Sequence, residues 1–529
     1  MGVPEEIRKV ERPKNTVVLQ YGKNKDRYAV RQRTGCKSVN GRKIPVEGAI
    51  IGHIVNGKYV PIDTVMSIRT SESDYKQWAN IVLCDRVSKD IFDDLLTIYT
   101  RKDAEKIFCI AALRALEPDI NDYELGSEYK ETWLSEIYPG TSLSKNTVGD
   151  FLSDLGHTCS KIISFMRLRA GRISADHHLA VDGTLVSDES KVNSFSDYSR
   201  KALKKGTKDI SVVFAYDVET GEPVCSKAYP GNRVDISVFE DFIRTNQVFS
   251  GLIIADRGFS YEAAKDVFLE NPDLHFLIPL KRNASIIKHY HMYDYNSSLE
   301  SFRGVPCKKE SIVGGKFLYS FQDLYRASQE GIVWIDNHPE YDSVQLKEAR
   351  KEFGSITFIS DLDLDCETVY KAYDERWDLE VMFMFYKDIL MFDQTKVHED
   401  CSVIGTQFIN FLSILITYRL RKEFTKAEHL NGVPHMTVLK LLKRAVKFRD
   451  PDGTWRVRKM TDKETCILIE LGIFPNTLPI KNTRGRPKRQ PVMFKSIVHQ
   501  IGKSLGKIIM TQKLLRMFET YARRNRCLG

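Results

Sequence analysis

Two aspartates, Asp182 and Asp256, each follow a β-type apolar run, Leu179-Ala180-Val181 and Ile253-Ile254-Ala255. Each also precedes a glycine-containing turn, at Gly183 and Gly258. A carboxylate in such a place is held by a rigid strand and faces an open edge, which is what a metal ligand needs. Either aspartate alone reads as an ordinary turn or helix-cap residue; the pair says more. The third piece is a helix carrying Tyr373, Arg376, Glu380 and Lys387, spaced Y-x2-R-x3-E-x6-K. At about 100° per residue these four project within roughly 60° of one another on an α-helix. A carboxylate, two cations and a phenol then share one stripe, while Leu379, Met382, Phe383 and Tyr386 cover packing faces. The plainer alternative is a solvated face in which Arg376 and Glu380 form an i,i+4 pair worth a few tenths of a kcal/mol. That alternative does not account for Tyr373 and Lys387. Carboxylates brought together from distant segments are suited to holding divalent ions against phosphoryl oxygens.

The elements that must position these residues are legible as a pattern. His178 to Val181, Ile210 to Tyr216, Val224 to Tyr229, Gly251 to Ala255 and His275 to Leu280 read as strands. Val234 to Arg244 and Tyr261 to Leu269 read as helices, the second capped by Ser260. Three strands, a helix, a strand, a helix and a strand is the order of an RNase H-like core in the mixed α/β class. Residues 283–353 interrupt it, Ile356 to Ile359 adds a strand, and Cys366 to Leu390 reads as one long helix.

The helix resembles the Y-R-E-K signature of the insertion-sequence-four family of DDE (Asp-Asp-Glu) transposases, with all four positions at the family's spacing. Ala180-Val181-Asp182-Gly183-Thr184 resembles that family's first-Asp motif, and Ile254-Ala255-Asp256-Arg257-Gly258-Phe259 its second. Tyr229-Pro230-Gly231-Asn232 with Asp235 is similar to a recurrent segment between them. The resemblance covers roughly residues 140–420. It implies a catalytic and metal-binding triad of Asp182, Asp256 and Glu380 holding two Mg2+ ions, with Mn2+ able to substitute. It implies cut-and-paste transposition: metal-dependent cleavage at element ends, then strand transfer of the freed 3′-hydroxyl to target DNA. Tyr373, Arg376 and Lys387 are implied phosphate contacts, Arg suiting two-pronged binding and Lys acting as a point charge. A β-rich insertion between Asp256 and Glu380 is also implied. Within it Trp334 is the residue for stacking a flipped base, although a Trp in Ile332-Val333-Trp334-Ile335 is more often core. Double-stranded DNA, both element ends and target, and a homodimer in the synaptic complex are the implied partners.

The full expectation is an α/β protein with an RNase H-like mixed-sheet core and a β-rich insertion, flanked by a basic β unit and mostly helical regions. Residues 1–70 form the basic N-terminal β unit, with hairpin turn signals at Asn40-Gly41 and Asn56-Gly57. Residues 71–175 form a helical DNA-binding region. There Leu143 to Leu152 resembles the second helix of a helix-turn-helix, capped by Ser144 and buried through Val148, Phe151 and Leu152. Lys145, Asn146 and Thr147 either face DNA there or begin an ordinary surface helix. The core takes residues 176–282 and 354–400, the insertion 283–353, and a helical region 401–480. In the basic tail, 481–529, Arg484-Gly485-Arg486-Pro487 resembles an AT-hook. It reads as an A·T minor-groove binder or as a basic linker on phosphates.

Charge agrees with a polyanionic partner. Residues 1–61 hold 13 Lys+Arg against 5 Asp+Glu and residues 481–529 hold 13 against 1, so the whole-chain +9 leaves the middle net acidic. Basic ends around an acidic middle suit a grip on nucleic acid, or serve solubility alone. The ten cysteines form no Cys-x-x-Cys pair, and His398 with Cys401 has no second pair, so free thiols are expected. His177-His178 read as residues leading into a strand, and His289 and His291 as loop residues. No apolar run reaches the roughly 18 residues of a membrane span, the best being Phe408 to Tyr418, so a cytoplasmic, nucleoid-associated protein with no membrane partner is expected. The other readings are a catalytically inactive transposase-derived DNA-binding regulator, a non-transposing RNase H-fold nuclease, and a metabolic hydrolase that the basic ends disfavour.

Overall fold

The computed structural model describes residues 3–21, 27–39, 42–55, 57–61, 75–188, 190, 192–199, 206–233, 235–255, 261–302, 304–395, 397–450 and 452–475. The chain divides into two units, Met1–Phe474 and Pro475–Gly529, and only Pro475 of the second is described. Asp256, the cap residue Ser260, the turn residues Asn40-Gly41 and Asn56, and the tail residues Arg484 and Arg486 therefore lie outside the described residues.

Near the N-terminus, β1 (Thr16–Tyr21), β2 (Arg27–Val39), β3 (Arg42–Val55) and β4 (Lys58–Pro61) form a four-stranded antiparallel sheet in sequence order. Its buried centre is small: Val18, Val30 and Ile54. β5 (Tyr75–Gln77) then leads into helices α1 (Ala79–Val87), α2 (Lys89–Ile98), α3 (Arg101–Leu116), α4 (Lys145–His157) and α5 (Cys159–Ala170). Thr100 starts α3 by accepting the Asp103 N–H, a cap that satisfies one of the free donors of the first turn. As the periodicity predicts, Val148, Phe151 and Leu152 are the buried stripe of α4.

The main sheet contains β6 (His178–Asp188), β7 (Lys208–Asp217), β8 (Glu222–Pro230), β9 (Gly251–Ala255) and β10 (Leu274–Pro279). Their order is β8-β7-β6-β9-β10, with β7 antiparallel to β6 and β9 parallel to both β6 and β10. Helix α6 (Asp235–Asn246) joins β8 to β9, and α7 (Tyr261–Glu270) joins β9 to β10. The strand and helix order expected from the sequence is thus present.

Asp182 is not at a strand end. It is the fifth residue of an eleven-residue strand, and Gly183 continues the ladder opposite Val213 rather than turning. The alternating residues Thr184, Val186 and Asp188 stay buried, which holds the strand against β7 past the aspartate. β9 pairs with β6 only as far as Val181↔Ala255. The next strand on that side, β15 (Gln394–Thr395), pairs only with Ser187 and Asp188. Among the described residues, β6 from 182 to 186 carries no ladder partner opposite β7.

Residues 283–353 contain two short strands, β11 (Ser297–Ser298) and β12 (Pro306–Ile312), then β13 (Lys316–Gln322) and helices α8 (Leu324–Asn337) and α9 (Ser343–Arg350). The β12–β13 hairpin pairs through β14 (Ser355–Ser360) with β10, so it extends the main sheet. Arg282 ties the end of β10 to α8 by a two-pronged contact with Glu330, 2.8 and 3.0 Å. Burial opposes ionisation of Glu330, but Arg282, the Gly354 N–H and Arg326 together hold its carboxyl down to about 2.

The stretch expected as one helix is α10 (Cys366–Glu375), a single turn residue Arg376, α11 (Trp377–Met384) and a π-helical turn, Phe385–Ile389. Helix α12 (Asp400–Lys426) is the central helix of the core; 83% of its most apolar stretch is buried by protein. It includes the apolar run broken by Asn410 and Ser413, and the Ser413 hydroxyl is satisfied by the Ala111 carbonyl of α3 at 3.1 Å. After helix α13 (His435–Lys443), a hairpin of β16 (Val446–Arg449) and β17 (Trp455–Val457) pairs with β5, and α14 (Asp462–Glu470) follows.

His435, at the start of α13, lies edge-on to Phe385 at 5.7 Å and beside Phe424 at 5.2 Å. Both its ring nitrogens are buried with no hydrogen-bond partner among the described residues. Burial, with Arg421 adding to it, pushes the imidazole down to about 4. The unfolded value is about 6.5, so the unfolded chain binds the extra proton between those limits. Stability is therefore level above about pH 6.5 and falls toward pH 4, by about 3 kcal/mol in all. Urea unfolding at a series of pH values is expected to show that slope, and His435→Leu to remove it.

Candidate active site

Phe214 of β7 is the register partner of Asp182 in an antiparallel ladder, so both side chains leave the same face of the sheet. The helical segment α10–α11 packs on that face. Phe214 meets Phe383 at 5.9 Å, Tyr386 at 5.4 Å and Phe411 at 6.5 Å. Tyr386 is fully buried and donates to Gln407 of α12 at 2.6 Å. Burying aromatics such as these contributes about 2–3 kcal/mol each. The result is that the polar stripe of α10–α11 is pinned above β6 at Asp182.

On that stripe the arrangement is specific. Arg376 Nη1 lies 3.4 Å from Asp182 Oδ2, and its Nη2 lies 3.7 Å from Glu380 Oε1. One guanidinium therefore spans two carboxylates 198 residues apart in sequence. The three side chains are 14%, 17% and 36% exposed, shielded enough for the charges to matter yet open to a ligand. Asp182 Oδ1 also accepts the Gly183 N–H at 2.7 Å, which fixes its rotamer. Arg376 lies over the Tyr373 ring at 5.8 Å, and Tyr373 itself packs on Phe358 of β14 at 4.9 Å. Tyr373 thus acts as a platform for the guanidinium.

Lys387 falls in the π-helical turn, whose wider winding rotates it relative to the ideal stripe. Burial pushes its ammonium below the ordinary lysine range, while Asp388, Asp393, Asp209 and Glu380 pull it back. Asp209 and Asp393 were not among the residues singled out from sequence. Asp209 is buried, its Oδ2 has no hydrogen bond among the described residues, and burial raises its pKa. For Asp209 no local sequence signal could mark it, because it reaches Lys387 from a strand 178 residues earlier in the chain.

Asp182, Tyr373, Arg376 and Glu380 come together, with Lys387 alongside. Ala255, which directly precedes Asp256 in the chain, is the register partner of Val181, which precedes Asp182. Trp334 lies on α8 and stacks on His338 at 4.4 Å and 16°, with Tyr341 and Phe353 around it. Among the described residues no contact joins it to Asp182 or Glu380. Lys145 and Asn146 are exposed on the first turn of α4. The Ser144 and Thr147 hydroxyls pair with each other there at 2.6 Å, in place of a side-chain cap on the backbone.

Residues 174–409 match the transposase DDE domain family. The matched segment, less than half of the chain, begins just before β6 and ends within α12, so it contains the whole constellation. Two solved structures are similar. One is a cryo-EM structure of the piggyBac transposase synaptic complex with hairpin DNA, at 12% identity and TM-score 0.38, covering 76% of this chain and 80% of that one. The other is the Mos1 transposase paired-end complex with left transposon end, at 15% identity and TM-score 0.14, covering 30% of this chain and 58% of that one. No curated protein matches the sequence.

Proposed function

We propose that this protein is a DNA transposase whose site is built from Asp182, Asp256 and Glu380, and that it works by cut-and-paste transposition. The observation that carries the reading is Arg376 spanning Asp182 and Glu380, inside a segment that matches the transposase DDE domain. The Y-R-E-K resemblance supports reading it as the insertion-sequence-four type.

Among the described residues the donors at the site are carboxylate oxygens, without a thiol or imidazole, and these fit a hard divalent ion such as Mg2+, with Mn2+ as substitute. Bound by the three carboxylates, two such ions would supply charge stabilisation at the attacking and leaving oxygens of a phosphodiester. The chain's own residues do the rest. The sheet fixes Asp182, and the Phe214 cluster sets the height of Glu380. Arg376 neutralises the two carboxylates in the absence of substrate and offers its fork to a phosphate when DNA enters. Tyr373 limits the directions that fork can take, and Lys387 adds positive charge further along the strand. Hydrolysis at an element end frees a 3′-hydroxyl, which then joins to target DNA.

Recognition of element ends by the α4 region and the basic tail, a synaptic homodimer, and a cytoplasmic, nucleoid-associated location complete the proposal. The test begins by sequencing the DNA on either side of the gene for inverted repeats; a labelled duplex carrying such a repeat is then incubated with protein, Mg2+ and target plasmid. Cleavage with joining supports the reading. Cleavage without joining points to a nuclease, and binding without cleavage to a regulator. Within that assay, Arg376→Lys keeps the charge but loses the fork. It is expected to cut about 10- to 100-fold more slowly, with an unchanged circular dichroism spectrum; an unaltered rate removes Arg376 from the site.

A further inference from the structure

A second cluster of ligating side chains stands at the start of β6. His177 Nδ1 lies 3.0 Å from Asp217 Oδ2, and Glu219 completes a group whose ligand atoms all lie within 4.8 Å of one another. These residues come from two places, the start of β6 and the turn between β7 and β8, joined by the pairing of Leu179 with Asp217. At about 3.3 Å per residue, five residues of strand separate His177 from Asp182 by about 16 Å. The two groups therefore cannot share an ion.

The Asp217 carboxylate is already oriented, and His178 holds Glu219 beside it. Asp217, 5% exposed, accepts the Glu219 N–H on Oδ1 at 3.1 Å and the Thr220 hydroxyl on Oδ2 at 2.7 Å. Glu219 Oε2 accepts the His178 N–H at 2.7 Å, and the His178 ring contacts Oε1. Outer contacts of this kind fix first ligands in metal sites. One imidazole nitrogen with two carboxylates suits a borderline transition-metal ion such as Zn2+, whose ligands lie about 2.0–2.2 Å away. Ligands of one tetrahedral ion at that distance are about 3.3 Å apart, so His177 and Asp217 are already close enough and only the flexible Glu219 must swing inward. Mg2+ holds oxygen ligands and its waters, and does not favour this set. We propose that His177, Asp217 and Glu219 bind one divalent transition-metal ion of the Zn2+ class, with His178 positioning Glu219. The ion clamps the start of β6 to the β7–β8 turn and is distinct from any ion at Asp182.

The proposal does not rest on the reading of Asp182, and the experiment keeps the two apart. Zn2+ binding is measured by calorimetry and equilibrium dialysis on the full chain carrying Asp182→Asn, which leaves the His177 cluster intact. Adding His177→Ala is expected to remove one bound equivalent and the Zn2+-induced rise in melting temperature. Adding Glu219→Gln, which retains an acceptor for the His178 N–H, is expected to weaken binding at least tenfold. Co2+ in place of Zn2+ should give a visible absorption band that His177→Ala abolishes. Zn2+ stoichiometry and melting shift that are the same with and without these changes would overturn the site, leaving His177–Asp217 as an ion pair that closes the turn.

Discussion

Asp182→Asn is expected to abolish cleavage of element-end DNA, by about a thousandfold or more, while DNA affinity stays within about threefold. Asparagine is nearly the same size and still offers an oxygen to the Gly183 N–H, which the aspartate accepts at 2.7 Å. The fold around it depends on β6–β7 pairing and the Phe214 cluster, neither of which the change touches. What is lost is a negative charge 3.4 Å from Arg376 and one of the donors proposed to hold a divalent ion. Removing one preorganised electrostatic partner at a reacting phosphate costs about 4 kcal/mol or more of transition-state stabilisation, which is a thousandfold in rate. On the proposed reading, phosphate contacts from Arg376, Lys387 and the basic ends would supply most of the affinity, and the substitution leaves them in place. Gel assays of cleavage with Mg2+, set beside fluorescence anisotropy of the same duplex, separate the two effects. Cleavage at the unaltered rate would take Asp182 out of the chemistry.

The core strands were legible because each is a short apolar run bounded by Gly, Pro or Asp: His178 to Val181, Ile210 to Tyr216, Gly251 to Ala255. The pairing of Arg376 with Glu380 was legible by the i,i+4 rule alone. What local pattern could not carry is pairing over distance. Arg376 reaches Asp182 only because α10–α11 lies on the Phe214 face. The β12–β13 hairpin looked like a separate insertion, yet Phe317 pairs with Ser360, and through β14 it joins the main sheet. The hairpin of β16 and β17 carries a turn signal, Asp450-Pro451-Asp452-Gly453, but lay hidden in a segment read as helical. Its partner β5 is some 370 residues earlier, as Val446 opposite Gln77 shows. The continuation of β6 past Asp182 was missed for a different reason. Gly183 is a turn signal in isolation, and here β7 supplies a ladder that overrides it.

A second large effect is expected where α4 crosses α12. A Cβ on Gly156 would lie 1.8 Å from the Cys401 carbonyl oxygen, and one on Gly405 would lie 2.0 Å from the Leu152 carbonyl oxygen. Each glycine sits four residues after the carbonyl that the other meets, so the two helices notch into each other reciprocally. Both obstructions are backbone, which cannot rotate aside as a side chain would. Gly→Ala in an ordinary helix is favourable by about 1 kcal/mol. Here the helices must move apart and surrender their packing, so each of Gly156→Ala and Gly405→Ala is expected to destabilise by about 3 kcal/mol. The double variant should cost clearly less than the sum, because the separation forced by the first methyl makes room for the second. Urea midpoints for the four proteins close that cycle. Activity should follow, since α12 carries Phe411 against Phe214 and Gln407 against Tyr386, the contacts that set the helix bearing Glu380 over the sheet. If Gly405→Ala instead raises the midpoint, as it would on a solvent-facing helix, the close crossing is not what holds α12, and the placement of Glu380 must depend on the Phe214 cluster alone.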